Sequence, residues 1–313
     1  MLYLTEDDVR RLLPMRECIP LMRKAFSALA SGDAINQPRR RLVMPTRSVL
    51  HYMAGSDGRY FGAKIYATNL RHGAHFLFLL YRAEDADLLA VMEANYLGQI
   101  RTGAATALAT GLLARPGSRT VGIVGSGFQA RSQVEALVAG IEVESVRVWS
   151  RSAEARGRFA AECSGQLGIR IEPAGSAEEA VSGMDVLITA TNSREPVLRA
   201  EWVSPGTHIN AVGSNQANRR EIPADLVERA GLIVVDSREQ GKMESGDLLL
   251  ALDPAGWNRV AELQEVVAGR RGRTNAAEIT LFKSNGLAVE DVAAAGYVYE
   301  RALESGTGRE FHS

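Results

Sequence analysis

The sequence predicts an α/β fold in which a doubly wound parallel sheet of the Rossmann type is inserted into a smaller α+β domain. Three observations predict it. A glycine turn follows a short apolar run at 121–124 and precedes an amphipathic run. From there to about residue 287, short apolar runs alternate with helical patterns, which indicates parallel strands with right-handed crossovers. Before it, residues 41–94 hold short runs separated by Gly, Asp, Ser or Arg, which is typical of an antiparallel meander.

The glycine turn carries a chemical prediction. Gly125 permits a tight turn, Gly127 lets the backbone approach a pyrophosphate, and Ala130 keeps the following helix close to the strand. The helix N-terminus then offers free N–H groups to an anion. A chance glycine turn is the alternative interpretation, but the strand before it and the helix after it are both present. We therefore predict that a dinucleotide binds the turn residues Gly125, Ser126, Gly127, Phe128, Gln129 and Ala130.

The predicted elements place one domain boundary at Arg115-Pro-Gly-Ser118. A small-residue helix, Gln99 to Ala114, ends there, and an amphipathic helix from Ala288 to Glu304 is expected to return to the first domain. The predicted domains are residues 1–114 plus 288–313 and residues 115–287. In the second we expect strands at 121–124, 146–149, 186–189, 208–212 and 232–235, helices near 129–139, 152–166, 177–183 and 222–229, and a last strand at 279–282 that closes the sheet.

Composition excludes several classes of function. A net charge of −1 argues against a nucleic-acid partner, which favours a basic excess. The two cysteines are neither a disulfide framework nor a zinc site, so we expect no metal and a reducing compartment. No apolar run approaches the length of a membrane span, and the acidic N-terminus lacks the basic start of a signal peptide. We expect a cytoplasmic protein without membrane contact.

The end of the second predicted strand bears on which dinucleotide is bound. A carboxylate there would accept hydrogen bonds from the ribose 2′-OH of NAD. This chain has Ser150, Arg151 and Ser152 instead, and these side chains can donate to or pair with a 2′-phosphate. We predict NADP(H) in preference to NAD(H); the alternative is a solvated turn in a protein that binds NAD loosely.

Several polar residues have both a functional and a structural interpretation. Lys64 lies in a predicted apolar strand, where an amine is costly to bury without an anion, although an edge strand would leave it in solvent. The run 39–41 is three arginines, which alone is typical of a wet surface. Arg101 and Thr102 open a helix and can serve a phosphate. His208 lies in a buried strand and is interpreted as a satisfied core histidine.

Five segments together resemble the ornithine cyclodeaminase/mu-crystallin family. They follow the family's order and span most of the chain, and jointly they are specific although each alone is weak. They are Phe61-Gly-Ala-Lys64, Ile100-Arg-Thr-Gly-Ala-Ala-Thr106, Val124-Gly-Ser-Gly-Phe-Gln-Ala130, Asn210-Ala-Val-Gly-Ser-Asn215 and Phe282-Lys-Ser-Asn-Gly286.

The resemblance implies a homodimer whose first domain and C-terminal helix hold substrate and dimer contacts. It implies that Lys64 and an arginine of the 39–41 run bind the substrate's α-carboxylate; by spacing to Lys64 the match is Arg40. It places Asn285 near the substrate, and along the cofactor it places Arg101, Thr191, Val212, Gly213 and Ser284.

Two departures from the family pattern decide between activities. The family's cyclodeaminases carry Asp where this chain has Asn215, and an amide cannot take up a proton. NAD-dependent members tend to carry Asp at the position of Ser150. We therefore predict an oxidoreductase that transfers hydride at the α-carbon of a small amino acid or its imine, with Asn215 orienting the nitrogen. The alternatives are ornithine cyclodeaminase, which forms proline and ammonia, and a mu-crystallin-like binding protein for small ligands.

Overall fold

The computed structural model describes residues 1–69 and 72–311 and divides the chain into two compact units. Unit 1 comprises Met1–Arg101 and Gly286–Ser313, and unit 2 comprises Thr102–Asn285. The first division falls inside a helix, whereas the sequence placed a boundary at the turn that begins with Arg115. Which unit binds substrate or forms a dimer stays a prediction.

Unit 1 is built on a seven-stranded mixed sheet in the order β15-β1-β6-β5-β4-β3-β2. The five strands β2 to β6 form the predicted antiparallel meander, and β1, which the sequence analysis missed, pairs in parallel with β6. The strands are β1 (Leu2–Leu4), β2 (Ile35–Val43), β3 (Val49–Ser56), β4 (Tyr60–Asn69), β5 (His72–Arg82), β6 (Leu88–Glu93) and β15 (Arg309–Glu310).

Among the described residues, three helices lie wholly within unit 1: α1 (Glu6–Leu12), α2 (Met15–Ser31) and α11 (Ala288–Ser305). A capping box begins α1, because Thr5 Oγ1 accepts from the Asp8 amide and the Asp8 carboxylate accepts from the Thr5 amide. Gly32 ends α2 with a φ of 84°, in the left-handed region that favours glycine. Helix α11 packs against α2, β3 and β4 and so covers one face of the sheet.

The other face of this sheet is apolar and open. Tyr52, Ile65 and Leu77 are cross-strand neighbours on β3, β4 and β5. Tyr52 is 46% exposed and Leu77 is 41% exposed. Lys64, one residue along β4, points to the opposite, covered face, where its side chain is 4% exposed.

Unit 2 is built on an eight-stranded sheet in the order β13-β12-β14-β11-β10-β7-β8-β9, with every pair parallel. This confirms the predicted Rossmann-type sheet. Parallel strands end at one edge, so the loops after β7, β8, β10 and β11 share that edge. The strands are β7 (Thr120–Val124), β8 (Ser145–Trp149), β9 (Arg170–Pro173), β10 (Val186–Thr189), β11 (His208–Ala211), β12 (Leu232–Val235), β13 (Val260–Glu262) and β14 (Thr280–Lys283).

The prediction that the strand at 279–282 closes the sheet is wrong. Strand β14 lies inside the sheet, between β11 and β12. Its residues are buried on both faces, as a central parallel strand requires. The edge beyond β12 belongs instead to the short β13, which the sequence analysis missed together with β9.

The helices of unit 2 begin near the predicted residues. Helix α3 (Asn95–Leu113) starts in unit 1 and continues into unit 2. Three later helices, α8 to α10, were not predicted. The helices wholly within unit 2 are α4 (Phe128–Gly140), α5 (Ala153–Leu167), α6 (Ala177–Val181), α7 (Ala224–Arg229), α8 (Arg238–Glu244), α9 (Gly246–Leu249) and α10 (Leu263–Val267). Across the described residues, no helix is both long and apolar enough to cross a membrane.

The structure confirms that His208 is a core histidine with hydrogen-bond partners for both ring nitrogens. It is fully buried on β11, with Nδ1 2.8 Å from Thr280 Oγ1 and Nε2 3.2 Å from Asn210 Oδ1. Asn210 in turn donates to Thr110 Oγ1 on α3 at 3.0 Å. Burial lowers the pKa of His208 to about 3, so the imidazole is neutral and joins β11, β14 and α3 through hydrogen bonds.

Candidate functional site

A cleft of about 800 Å³ lies in unit 2 at the edge where the strands end. It contains the predicted glycine turn and the predicted end of β8. Three arginines and no carboxylate occur among the described residues that line it, so its lining suits an anionic ligand. The lining residues are Val124, Gly125, Ser126, Gly127, Phe128, Gln129, Trp149, Ser150, Arg151, Ala190, Thr191, Asn192, Ser193, Arg194, Val197, Gly213 and Arg219.

The glycine turn has the geometry that a dinucleotide phosphate needs. Gly125 has a φ of 120°, and a Cβ there would lie 2.4 Å from the Ala190 carbonyl oxygen. A Cβ on Gly127 would meet nothing within 4 Å, which leaves open space beside the backbone. Gly127 is also the N-cap of α4 and provides no side-chain cap. The first-turn N–H groups of α4 therefore suit a phosphate.

The end of β8 is held by a short hydrogen-bonded chain. Ser126 Oγ donates to Ser150 Oγ at 2.8 Å, and Ser150 Oγ donates to the Ser152 carbonyl at 3.2 Å. Arg156 donates to the Ser150 carbonyl at 2.9 Å from the next helical turn. Arg151 is exposed and lines the cleft. Ser152 caps α5 by accepting from the Ala155 amide, so its hydroxyl has a structural partner.

Glu221 braces two loops that line the cleft. Its Oε1 accepts from the Thr191 amide at 2.6 Å and from Thr191 Oγ1 at 2.7 Å. Its Oε2 accepts from the Gly213 amide at 2.8 Å. Burial raises the pKa of Glu221, and the nearby Asp247 raises it further. Both oxygens are used inside the protein, so Glu221 is a structural carboxylate.

Lys283 supports the same region from β14. It is fully buried, and its Nζ lies 3.3 Å from Asp247 Oδ2. It also donates to the carbonyls of Ala211 and Ser214, which flank the loop after β11. Asp247 Oδ1 accepts from the Glu221 amide at 2.6 Å. A chain of contacts therefore runs from β14 to Glu221, and the sequence analysis did not foresee it.

Unit 1 contains a second polar centre, a buried cluster of two cations and two carboxylates. Lys64 Nζ lies 2.9 Å from Oδ1 and 2.7 Å from Oδ2 of Asp291. Arg101 Nε donates to Asp291 Oδ1 at 3.1 Å, and a terminal Arg101 nitrogen donates to Glu290 Oε2 at 2.8 Å. All four side chains are at most 5% exposed. We call this set the buried ion cluster.

Burial and charge act together on Lys64. Burial lowers the pKa of Lys64 to about 8, the positive charges of Arg101 and Arg39 add to this effect, and Asp291 opposes it. Arg101 therefore lies with Lys64 in the buried ion cluster, rather than among the residues that line the cleft of unit 2. Thr102, the next residue on α3, is buried as well.

The structure places Arg39, rather than Arg40, beside the buried ion cluster. Whether Arg40 meets a substrate carboxylate stays a prediction. A β-bulge between Gln37 and Arg40 interrupts the alternation of β2. Arg39 is consequently 4% exposed and contacts Met53, the cross-strand partner of Lys64 on β3. Arg40 is exposed. Arg39, and not Arg40, is the arginine whose charge acts on Lys64.

The remaining predicted residues lie in unit 2 near the strand ends. Asn215 is half-buried in the loop after β11, two residues beyond Gly213. Ser284 donates to Asp236 at 3.3 Å, and Asn285 Oδ1 accepts from Ser245 at 3.2 Å. Ala130, Val212, Ser152 and Ser284 are not among the described residues that line the cleft. The first three are next in sequence to a lining residue, and Ser284 is not.

Two groups of residues were missed by the sequence analysis. The loop after β10 contributes Asn192 and Arg194 to the cleft, and Arg219 lines it too. These residues follow predicted parallel strands, and loops at that edge of a parallel sheet commonly bind ligands, so the sequence could have indicated them. Glu290 and Asp291 lie in the first turns of α11, shortly after the family segment that ends at Gly286, but nothing local relates them to Lys64. Among the described residues, no group of His, Cys, Asp or Glu is arranged to hold a metal.

A sequence profile of the ornithine cyclodeaminase/mu-crystallin family matches residues 1–306. The chain belongs to this family. Ketimine reductase mu-crystallin from Mus musculus is 42% identical over 222 residues, which cover 71% of this chain and 68% of that relative.

Two solved structures of the family resemble the chain along its length. Thermococcus litoralis Δ1-pyrroline-2-carboxylate reductase, in complex with NADH and L-proline, is 36% identical with a TM-score of 0.94 and covers 99% of this chain and 100% of its own. An archaeal alanine dehydrogenase dimer with bound NAD is 35% identical with a TM-score of 0.94, and the match covers 100% of this chain and 99% of the alanine dehydrogenase chain. The predicted family, Rossmann-type fold and oxidoreductase class are confirmed.

Proposed function

We propose that this family member is an NADP(H)-preferring oxidoreductase that interconverts a small α-imino acid and the corresponding amino acid. The observation that carries the proposal is the buried ion cluster, in which Lys64 and Arg101 lie together beside Arg39 in unit 1. Relatives support the reaction class, because they include a ketimine reductase, a pyrroline-2-carboxylate reductase and an alanine dehydrogenase.

Unit 2 is the proposed cofactor-binding unit. The glycine turn and the first-turn amides of α4 would hold the pyrophosphate, and Thr191 and Gly213 would line the nicotinamide half of the cleft. A bound nicotinamide supplies or accepts the hydride. Glu221 serves this function indirectly, because it keeps the two loops that carry Thr191 and Gly213 together.

The preference for NADP(H) rests on Ser150 and Arg151. Neither can accept the two hydrogen bonds that a carboxylate would accept from a free ribose. Both can donate to a phosphate, and Arg151 adds a full positive charge. The pyrroline-2-carboxylate reductase and the alanine dehydrogenase described above hold NADH and NAD, so the proposed preference would differ from the cofactors bound in those two structures.

Unit 1 is the proposed carboxylate-binding unit. Arg39, Lys64 and Arg101 carry three positive charges, and Glu290 and Asp291 carry two negative charges. Basic side chains gathered in this way suit a carboxylate ligand, because hydrogen bonds from an ammonium or a guanidinium to a carboxylate are charge-assisted. Binding through the carboxylate would leave the α-carbon and its nitrogen free to react.

Asn215 is the proposed partner of the substrate nitrogen. An amide can hold an amine or imine through hydrogen bonds, but it cannot remove a proton from an attacking side-chain amine. Reduction of an imine needs only hydride and orientation once the nitrogen is protonated. Asn215 therefore favours imine reduction over cyclodeamination.

The experiment that tests this function is a screen of NADPH oxidation by the purified protein against cyclic and linear α-imino acids. We expect turnover of at least one of them, and little proline or ammonia from ornithine with NAD. Proline formed as fast as an imine is reduced would support the cyclodeaminase alternative. Tight NADPH binding without turnover of any compound would support the ligand-binding alternative.

We also propose a homodimer formed through the open face of the unit 1 sheet. This face exposes Tyr52 and Leu77 on either side of the half-buried Ile65, and an archaeal relative is a dimer. Light scattering should give twice the chain mass of 33.8 kDa. Leu77→Glu should give a monomer, whereas Leu303→Glu, at an apolar residue of α11 that is 56% exposed, should not. A monomeric unmutated protein would overturn this proposal.

A further inference from the structure

Asp291 contacts both cations of the buried ion cluster with one carboxylate. Its Oδ1 lies 2.9 Å from Lys64 Nζ and 3.1 Å from Arg101 Nε. We infer that Asp291 is a positioning residue, which holds the Lys64 ammonium and the Arg101 guanidinium in the orientation that receives the substrate carboxylate. This inference rests on the function proposed above, and it assigns Asp291 a role that acts through Lys64 and Arg101.

The helix that carries Asp291 is anchored to the sheet. The amides of Ala288 and Val289, at the start of α11, donate to Asn36 Oδ1 on β2 at 2.9 and 3.3 Å. A Cβ on Gly55 of β3 would lie 2.9 Å from the Val289 nitrogen, so the helix approaches the strand backbone closely. Asp291 is therefore in a fixed position relative to Lys64 on β4.

Glu290 and Asp291 have different sets of hydrogen-bond partners. Glu290 Oε1 accepts from the Leu287 amide at 3.1 Å, which closes the first turn of α11, and its Oε2 binds Arg101. Glu290 binds Arg101, whereas Asp291 binds both Arg101 and Lys64. Glu290 is for this reason the matched control for Asp291: the two are adjacent and fully buried, and both bind Arg101.

The positions of both Asp291 oxygens support a positioning role rather than a role in charge neutralisation alone. A carboxylate that only neutralised charge could lie anywhere nearby, whereas here both oxygens lie within 3 Å of the Lys64 amine. The charged groups that act on Lys64 are Asp291 from α11, Arg101 from α3 and Arg39 from β2. His51 on β3 is neutral above pH 5, because burial and the charges of Arg41 and Arg39 lower its pKa to about 4.

The first measurement needs no substrate. The chain has four lysines, so lysine labelled with ¹³C at Cε gives four NMR signals, and Lys64→Met identifies that of Lys64. In the unmutated protein this signal should titrate near pH 8. Asp291→Asn should move the titration to lower pH by about one unit or more, because an opposite charge is lost. Glu290→Gln should leave it in place.

The second measurement is steady-state kinetics with the imino acid that the screen identifies. Asp291→Asn should raise KM about tenfold or more while kcat changes less than about threefold, because a residue that orients the carboxylate ligands acts on substrate binding. A fall in kcat at unchanged KM would overturn the inference. So would an unmoved Lys64 titration in a folded Asp291→Asn protein.

Two features keep the test decisive. If Asp291→Asn does not fold, Asp291→Glu retains the charge but moves it by one methylene, and it should raise KM while Lys64 still titrates near pH 8. A KM equal to that of the unmutated protein in this variant would overturn the inference. Failure of the proposed function is a separate result, namely no imino-acid turnover by the unmutated protein, and it leaves the NMR comparison intact.

Discussion

The hydroxyl of Ser126, in the glycine turn, donates a 2.8 Å hydrogen bond to the hydroxyl of Ser150 at the end of β8. This bond joins the proposed pyrophosphate site to the proposed 2′-phosphate site. It orients the Ser150 oxygen toward the same cleft that Arg151 lines. The choice between the two dinucleotides therefore depends on a few atoms at one strand end, and a double substitution there tests it.

Ser150→Asp combined with Arg151→Ala should invert the preference from NADP(H) to NAD(H). A charge-assisted hydrogen bond contributes about 1.5–3 kcal/mol, or roughly ten- to a hundredfold in affinity. Fluorescence titration with NADPH and with NADH measures the two affinities. Arg158→Ala, at an exposed arginine of α5 that pairs with Glu154, is the control and should change neither affinity. Equal affinities for both dinucleotides in the unmutated protein would refute the prediction.

Lys64→Met should leave NADPH affinity within about twofold but remove measurable turnover of a carboxylated substrate. Loss of one partner of a desolvated charge pair costs about 2–5 kcal/mol, and the variant also leaves Asp291 without its main cation. Lys24→Met, at an exposed position of α2, is the matched control. Unchanged kinetics in the Lys64 variant would show that the amine serves only the fold.

The pH dependence of substrate binding should follow Lys64. Its pKa is lowered to about 8, so the amine carries a positive charge below that pH and loses it as the pH rises. KM for a carboxylated substrate should therefore increase above about pH 8, by up to tenfold per pH unit. Lys64→Arg keeps its charge and, if active, should show no such increase. The dissociation constant of NADPH over the same range serves as control.

Gly213→Ala should weaken both stability and cofactor binding. An added Cβ would lie 2.3 Å from the Thr191 nitrogen and 2.5 Å from Glu221 Oε1, so the brace formed by Glu221 must open. Overpacking of this kind costs about 1–3 kcal/mol. Gly157→Ala is the control, because its Cβ meets nothing within 4 Å on α5 and should stabilise by up to about 1 kcal/mol. Thermal unfolding with and without NADPH distinguishes the two variants.

Asn215→Asp should move the activity toward cyclodeamination. Ring closure requires a group that takes a proton from the attacking amine, and a carboxylate can do so where an amide cannot. Proline and ammonia are measured from ornithine with NAD. The unmutated protein should form little of either. If the unmutated protein forms proline readily, another group must act as the base. Glu221 is not that base, because Thr191 and Gly213 occupy its oxygens, and a water is then the candidate base.

The Rossmann-type unit, the glycine turn and the family could all be predicted from the amino-acid sequence. These follow from local patterns, because strand and helix periods and the backbone demands of a tight turn act over a few neighbouring residues. The sequence also identified Lys64 as a residue whose amine needs an anion.

Which groups contact Lys64 could be read from the tertiary structure and not from the sequence. Asp291 is 227 residues away along the chain, and Arg39 lies near Lys64 because of a bulge that alternation in sequence does not reveal. The place of β14 inside its sheet was likewise beyond the sequence. In each case the physical reason is the same: pairing between distant segments depends on how strands and helices pack, and a local pattern specifies the element but not its neighbours.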